Sequence, residues 1–121
     1  MSTRCNIICK IKRAGEDAQQ FAVLYHHCDG YPDGVGYNLI ERLEEASGIQ
    51  RWHAGSFVTE LVKDPYGDYE ITTGLHLDVE YVYTILFEYV DGKPRVTLSY
   101  HEVEDFGNPE VGKEITMKIF E

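Results

Sequence analysis

The chain has 121 residues, of which 43% are hydrophobic and 12% aromatic, which fits one globular domain (1–121) and excludes a disordered chain. Its 21 acidic residues outnumber the 11 basic ones and give a formal net charge of −10, so its field would repel a phosphate backbone. No stretch approaches the ~18 apolar residues of a membrane span, and the first residues hold no apolar segment of signal-peptide length. These features predict a cytoplasmic protein that binds neither nucleic acid nor a membrane.

The first part of the chain predicts two strands joined as a hairpin. Cys5, Ile7, Cys9 and Ile11 alternate with mostly polar residues, which is typical of a half-buried strand. The run 21–25 is apolar throughout and suits a strand inside a sheet. The three cysteines lack metal-ligand spacing, and this indicates buried thiols in a reducing compartment.

Two helices are predicted in mid-chain. Apolar residues recur at helical spacing from Val35 to Ala46, and Ser47-Gly48 would end this helix. A second amphipathic pattern runs from Trp52 to Val62 and ends in the turn 64–67. The short link 49–51 predicts that the two helices pack as a pair.

The rest of the chain predicts strands over 69–73, 79–90 and 94–103, then a last strand with Ile115, Met117 and Ile119. Asp91-Gly92 is a strong signal for a hairpin turn. The order ββααββββ predicts an α+β fold, with a single twisted, mainly antiparallel sheet of five to six strands and a pair of helices packed on one face. The uncovered face would be lined by the polar partners of each alternation, which include Arg4, Asn6, Thr84, Thr97 and Ser99.

The segment from Tyr25 to Gly36 reads Tyr-His-His-Cys-Asp-Gly-Tyr-Pro-Asp-Gly-Val-Gly and lies between a predicted strand and a predicted helix. A glycine-rich turn at a helix start leaves backbone amides that can bind an anion. The predicted anion-binding amides are those of Gly34, Val35 and Gly36, although the spacing matches no known phosphate-loop pattern. In the alternative interpretation the turn is only structural: its glycines supply positive φ angles and Asp33 caps the helix.

Titratable residues accompany this turn and the later segment 76–80. A set of His, Asp and Glu side chains can ligate a metal or supply a general base, so a small metal-assisted hydrolase built on His27, Asp29 and Glu80 is one alternative. Neighbouring histidines on a strand point to opposite faces, however, so His26 and His27 would not share one metal. We therefore predict neither a metal nor another cofactor, name no catalytic residue, and expect Asp29 to pair with a cation such as Arg4.

Three segments resemble parts of one protein family. They are the opening Met-Ser-Thr-Arg-Cys-Asn, the stretch 25–36, and the segment His76 to Tyr83. Small, uncharacterised bacterial and bacteriophage proteins combine a Met-Ser-Thr-Arg-x-Asn start, a His-x-Asp-Gly-Tyr-Pro-x-Gly-Val-Gly core and an Asp-x-Glu-Tyr-x-Tyr strand. The resemblance implies no particular reaction. It implies a phage accessory protein that acts in the host cytoplasm against host defence, for instance by sequestering a signalling nucleotide.

These observations predict a non-enzymatic binding domain for a small anionic, nucleotide-like ligand, with Tyr31, Tyr81 or Trp52 stacking on its ring. The alternative function, from another class, is an acidic protein that inhibits a host enzyme by docking on its surface. Whether the chain forms a homo-oligomer in which a second subunit closes so small a site is not decided by the sequence. The predicted ligand-binding residues are Arg4, Asn6, His27, Asp29, Gly30, Tyr31, Gly34, Val35, Gly36, Glu80 and Tyr81.

Overall fold

The computed structural model describes residues 3–46 and 53–121 and confirms the predicted α+β fold. The predicted helix end at Ser47-Gly48, the link 49–51 and Trp52 lie outside the described residues. The elements, in chain order, are β1 (Cys5–Lys12), β2 (Gln19–His26), a π-helical turn (Pro32–Gly36), α1 (Tyr37–Glu45), α2 (Ala54–Lys63), β3 (Glu70–Thr72), β4 (Tyr81–Val90), β5 (Lys93–Glu102) and β6 (Ile115–Phe120).

One six-stranded sheet has the order β3-β2-β1-β4-β5-β6. Every neighbouring pair is antiparallel except the central pair β1 and β4, which is parallel, with Cys5 opposite Tyr81 and Lys12 opposite Glu88. The β1–β2 and β4–β5 connections therefore lie at the same end of the sheet, which we call the hairpin end. The turn 27–36 and the start of β4 lie at the opposite end, which we call the motif end.

The β4–β5 connection is the two-residue turn that the sequence predicts. Asp91 and Gly92 have φ angles of 53° and 77°, and Val90 pairs with Lys93 on either side of them. Positive φ at both central residues is typical of a type I′ turn, whose twist matches that of the strands it joins.

The main core lies between the sheet and the two helices. Ile7 and Ile85 from the central strands pack in one cluster with Leu39 and Leu43 of α1 and Phe57 of α2. Burial of this kind removes apolar surface from water and is the main force that holds the helices on the sheet. None of the helices in residues 3–46 and 53–121 has both the length and the apolar character needed to cross a membrane.

The opposite face is partly covered, contrary to the expectation that all its polar residues face solvent. Asn6 is 0% exposed and Ser99 is 3% exposed. The segment 73–80 returns from the edge strand β3 to the start of β4, and its passage across this face buries Val79 against Tyr25 and Val82. β3 and β4 run parallel to each other with β2 and β1 between them, so a crossover and not a tight turn must join them.

Candidate functional site

The glycine-rich turn holds itself together through its own backbone. The amide of Val35 donates a hydrogen bond of 2.8 Å to the carbonyl oxygen of Asp29, and the amide of Gly34 donates one of 2.9 Å to that of Tyr31. An amide that is already bonded to a carbonyl cannot also bind a phosphate without breaking the turn. Two of the three predicted anion-binding amides are therefore occupied.

Tyr83, whose side chain is fully buried, ties the turn to the sheet. Its phenol donates a hydrogen bond of 2.6 Å to the carbonyl oxygen of Gly30. Burial raises the pKa of Tyr83, and a hydrogen bond from the backbone of Gly36 opposes that rise. The predicted anion site is therefore not formed at Gly34 and Val35, whose amides are bonded to carbonyl oxygens of the turn.

The glycines of the turn are explained by close packing and not by positive φ. A Cβ atom on Gly34 would lie 2.2 Å from the carbonyl oxygen of Asp29, and one on Gly36 would lie 2.9 Å from the Cε of Met117. The positive φ angle of the turn, 53°, belongs to Asp29 itself. Asp33 lies inside the π-helical turn and makes no capping hydrogen bond to α1, so its predicted role as helix cap is also wrong.

The predicted pairing of Asp29 with Arg4 does not occur. Asp29 accepts a hydrogen bond of 3.1 Å from the phenol of Tyr31, and both side chains are exposed. The Nε of Arg4 lies 3.5 Å from Oδ2 of Asp78. Glu80 is exposed, and its backbone amide donates to the carbonyl oxygen of Arg4. The starts of β1 and β4 are therefore joined through the backbone, while the charge of Arg4 is paired with Asp78.

Asn6 has a structural role in the sheet. Its Nδ2 donates a hydrogen bond of 2.9 Å to the carbonyl oxygen of Leu24, and its Oδ1 accepts one of 2.7 Å from the amide of His76. A buried carboxamide with both ends bonded ties the crossover segment to the sheet. This explains why a polar residue occupies the central strand.

A cluster of aromatic and titratable side chains surrounds Tyr25 on the face opposite the helices. Its ring stacks on that of His76, with centroids 4.0 Å apart, and meets the edge of His27 at 4.7 Å. Its phenol lies 3.4 Å from the Asp78 carboxylate that also faces Arg4. Burial, followed by the charge of Asp78, raises the pKa of Tyr25.

This cluster brings residues of the two segments together, but it does not assemble a metal site. His27 lies 3.4 Å from Glu70, and the Nε2 of His76 lies 2.8 Å from the hydroxyl of Thr72. Among the described residues, no group of three or more His, Cys, Asp and Glu side chains is arranged to hold a metal ion. The geometry gives no support to the metal-assisted hydrolase.

His26 points to the other face, as the alternation predicts, and lies beside a polar cavity of about 330 Å³. Its Nδ1 is 2.6 Å from the carbonyl oxygen of Cys28, and its Nε2 is 2.8 Å from that of Gly67. Nearby, Arg42 is bonded to Asp64. The guanidinium of Arg42, which lines this cavity, is thus already engaged within the protein.

A second cavity of about 330 Å³ lies at the hairpin end, between the ends of β1 and β4 and the start of β5. We call it the hairpin-end cleft. Its apolar lining consists of Ile11, Ala14, Phe87, Tyr89, Pro94 and Val96. Lys12, Arg13 and Arg95 also line it, against a single carboxylate, Glu88. The cleft therefore combines an apolar interior with a cationic rim in a chain that is strongly acidic overall.

Arg95 lines this cleft and has unused hydrogen-bonding capacity. Its Nη2 lies 3.6 Å from Oε2 of Glu88, whose side chain is only 12% exposed. Its Nε–H is buried and has no hydrogen-bond partner within residues 3–46 and 53–121. A buried donor left without a partner destabilises the protein by about 1–3 kcal/mol. A hydrogen-bond acceptor that entered the cleft and reached this donor would remove that penalty.

Sequence reasoning missed this cleft, although a signal was present. Five of the 11 basic residues lie in two short segments, 10–13 and 93–95. Only the parallel pairing of β1 with β4 brings these segments to the same end of the sheet, and that pairing was not predicted.

Comparisons of the chain with protein-family models, with curated proteins and with solved structures each returned no match.

Proposed function

We propose that this protein is a non-enzymatic binding domain for a small anionic, nucleotide-like ligand, and that the ligand occupies the hairpin-end cleft. The observation that carries the proposal is the buried, unpartnered Nε–H of Arg95 beside an apolar cavity. A guanidinium presents its N–H groups as a planar fork that matches a carboxylate or phosphate. The ligand's anionic group would face Arg95, with Lys12 and Arg13 nearby.

The apolar part of the cleft favours a ligand with a flat ring. Ile11 and Pro94 are half-buried in its wall, Ala14 is exposed, and Tyr89 is 62% exposed at the edge. Small-molecule sites usually combine such a lining with a few polar groups that fix orientation. A cavity of about 330 Å³ is at the lower end of the usual range, which favours a mononucleotide-sized ligand over a larger one.

The side chains that line the cleft favour binding over catalysis. In the part of the chain that the structure describes, no histidine, cysteine or serine lines it, and its carboxylate is paired with Arg95. Histidine is the commonest general base, and serine and cysteine are common nucleophiles. Binding without turnover would lower the free concentration of a nucleotide signal, which is the counter-defence role that the family resemblance suggests.

Thermal shift and isothermal titration calorimetry with AMP, GMP, ADP-ribose and cyclic dinucleotides test the proposal. Adenosine and inorganic phosphate serve as the matched neutral and ring-free compounds. We expect at least one ring-bearing anion to raise Tm more than either of these, since binding to the native state stabilises it. Arg95→Gln should abolish the shift, whereas Lys63→Gln on the exposed side of α2 should leave it unchanged. No shift with any nucleotide at millimolar concentration, or full binding by Arg95→Gln, would overturn the proposal.

A further inference from the structure

A groove of about 230 Å³ lies at the motif end, far from the hairpin-end cleft, beside the first residues of β4 and β6 and the last of β5. We call it the tyrosine groove. Tyr81 and Tyr100 form its aromatic wall, with ring centroids 6.1 Å apart and an angle of 56° between the rings. Pro32 and Ile115 complete its apolar surface, and Ile115 is 46% exposed.

The hydroxyl groups of both tyrosines are available to a partner. Neither phenol makes a hydrogen bond within the described ranges 3–46 and 53–121, whereas the phenol of the neighbouring Tyr83 is committed to Gly30. A tyrosine that presents an apolar ring and a free hydroxyl is a frequent anchor in protein interfaces.

The surroundings of the groove are acidic. Glu102 and Glu104 line it together with one cation, Lys113. Burial raises the pKa of Tyr81, and the negative charges of Glu102, Glu80 and Asp33 raise it further. Because these charges act on the phenol of Tyr81, their field extends over the aromatic wall.

From the free phenols, the aromatic wall and the acidic border, we infer that the tyrosine groove is a docking site for a basic, proline-rich peptide segment of a partner protein. A polyproline II helix has no internal hydrogen bonds, so its carbonyl groups can accept from Tyr81 and Tyr100. Its proline rings fit grooves lined by aromatic side chains. Arginine or lysine residues in the segment would be attracted by Glu102 and Glu104.

This site is independent of the proposed ligand cleft. The groove lies at the opposite end of the sheet, and none of the residues that line it also lines the cleft. A protein that binds both a small anion and a basic peptide would do so through surfaces of opposite charge. Arg95→Gln should therefore leave peptide binding unchanged, and failure of one proposal would not imply failure of the other.

Fluorescence anisotropy with a labelled synthetic peptide of prolines and interspersed arginines tests the inference on the full chain. Two matched peptides control for conformation and charge, one with its prolines replaced by glycine and one with its arginines replaced by glutamate. We expect the proline–arginine peptide to bind, its affinity to fall with added salt, and both control peptides to bind at least about tenfold more weakly.

Variants separate the contributions of charge and hydroxyl groups without disturbing the core. Glu102→Gln with Glu104→Gln should weaken binding about tenfold, and Tyr100→Phe should weaken it about threefold, while Glu60→Gln on α2 should have no effect. Absence of binding at millimolar peptide, or equal binding of the glycine peptide, would overturn the inference. Sedimentation that showed the groove variants breaking up a complex between copies of this chain would also overturn it, in favour of self-association.

Discussion

The phenol of Tyr83, in the middle of the sheet, donates a hydrogen bond of 2.6 Å to the carbonyl oxygen of Gly30, 53 residues earlier in the chain. This bond anchors the glycine-rich turn to β4. Removing the hydroxyl in Tyr83→Phe would leave a buried acceptor without its donor, so we expect the free energy of unfolding to fall by about 1–3 kcal/mol. Tyr100→Phe is the matched control, since its phenol has no partner among the described residues and its loss should change stability by less than about 0.5 kcal/mol. Urea denaturation of both variants measures the difference, and equal effects would contradict this role of Tyr83.

A second prediction concerns the reason for glycine in the turn. In Gly34→Ala the new Cβ would lie 2.2 Å from the carbonyl oxygen of Asp29, so the turn must shift and we expect a loss of at least about 2 kcal/mol. Gly55→Ala in the first turn of α2 is the matched change, because nothing lies within 4 Å of its added Cβ. The higher helix propensity of alanine should there raise stability by up to about 1 kcal/mol. We therefore expect Gly34→Ala to lower the melting temperature and Gly55→Ala to raise it. An unchanged melting temperature in Gly34→Ala would contradict the role of close packing at this glycine.

The turn illustrates which parts of the site were open to prediction from sequence. Its position between strand and helix follows from local hydrophobic patterns, and the opposite orientations of His26 and His27 follow from the period of a strand. Whether an amide is free to bind an anion depends instead on which distant side chain reaches it. In the sequence, Tyr83 has the pattern of an ordinary strand residue. No neighbouring residue indicates that its hydroxyl contacts the glycine-rich turn.

The hairpin-end cleft shows the same limit at the level of topology. Alternation within β1 and β4 predicts each strand correctly, and Asp91-Gly92 predicts the hairpin. The pairing of β1 with β4 involves residues about 76 positions apart, as in Cys5 opposite Tyr81, and local patterns do not encode such long-range partners. Because that pairing determines which basic segments meet, the cleft could not be found before the fold was known.

A third prediction uses the ion pair between Arg42 and Asp64. The hydrogen bond from Arg42 holds the pKa of Asp64 below its ordinary value of 3.8. A depressed native-state pKa contributes stability at pH values above the unfolded-state value, and this contribution is lost as pH falls through the native-state value. Stability of the wild type should therefore fall as pH is lowered from about 5 through the acidic range, and Asp64→Asn should make this fall shallower. Urea denaturation across that range measures the slopes. Glu16→Gln, on the exposed β1–β2 loop, should keep the wild-type slope, and a steeper slope in Asp64→Asn would contradict the assignment.

The last prediction tests the electrostatics of the hairpin-end cleft by a change that should strengthen binding. Glu88 is the only carboxylate among the described residues that line the cleft, and it lies 3.6 Å from the guanidinium of Arg95. Glu88→Gln keeps the shape of the side chain but leaves the charge of Arg95 free to act on a ligand anion. We expect the affinity for AMP, measured by calorimetry at low salt, to rise about threefold, with a steeper loss of affinity as salt is added. Glu60→Gln makes the same change in net charge on α2 and should leave the affinity unchanged within error. A weaker affinity in Glu88→Gln would mean that Glu88 orients Arg95 for the ligand, and the cleft would then bind through a fixed ion pair.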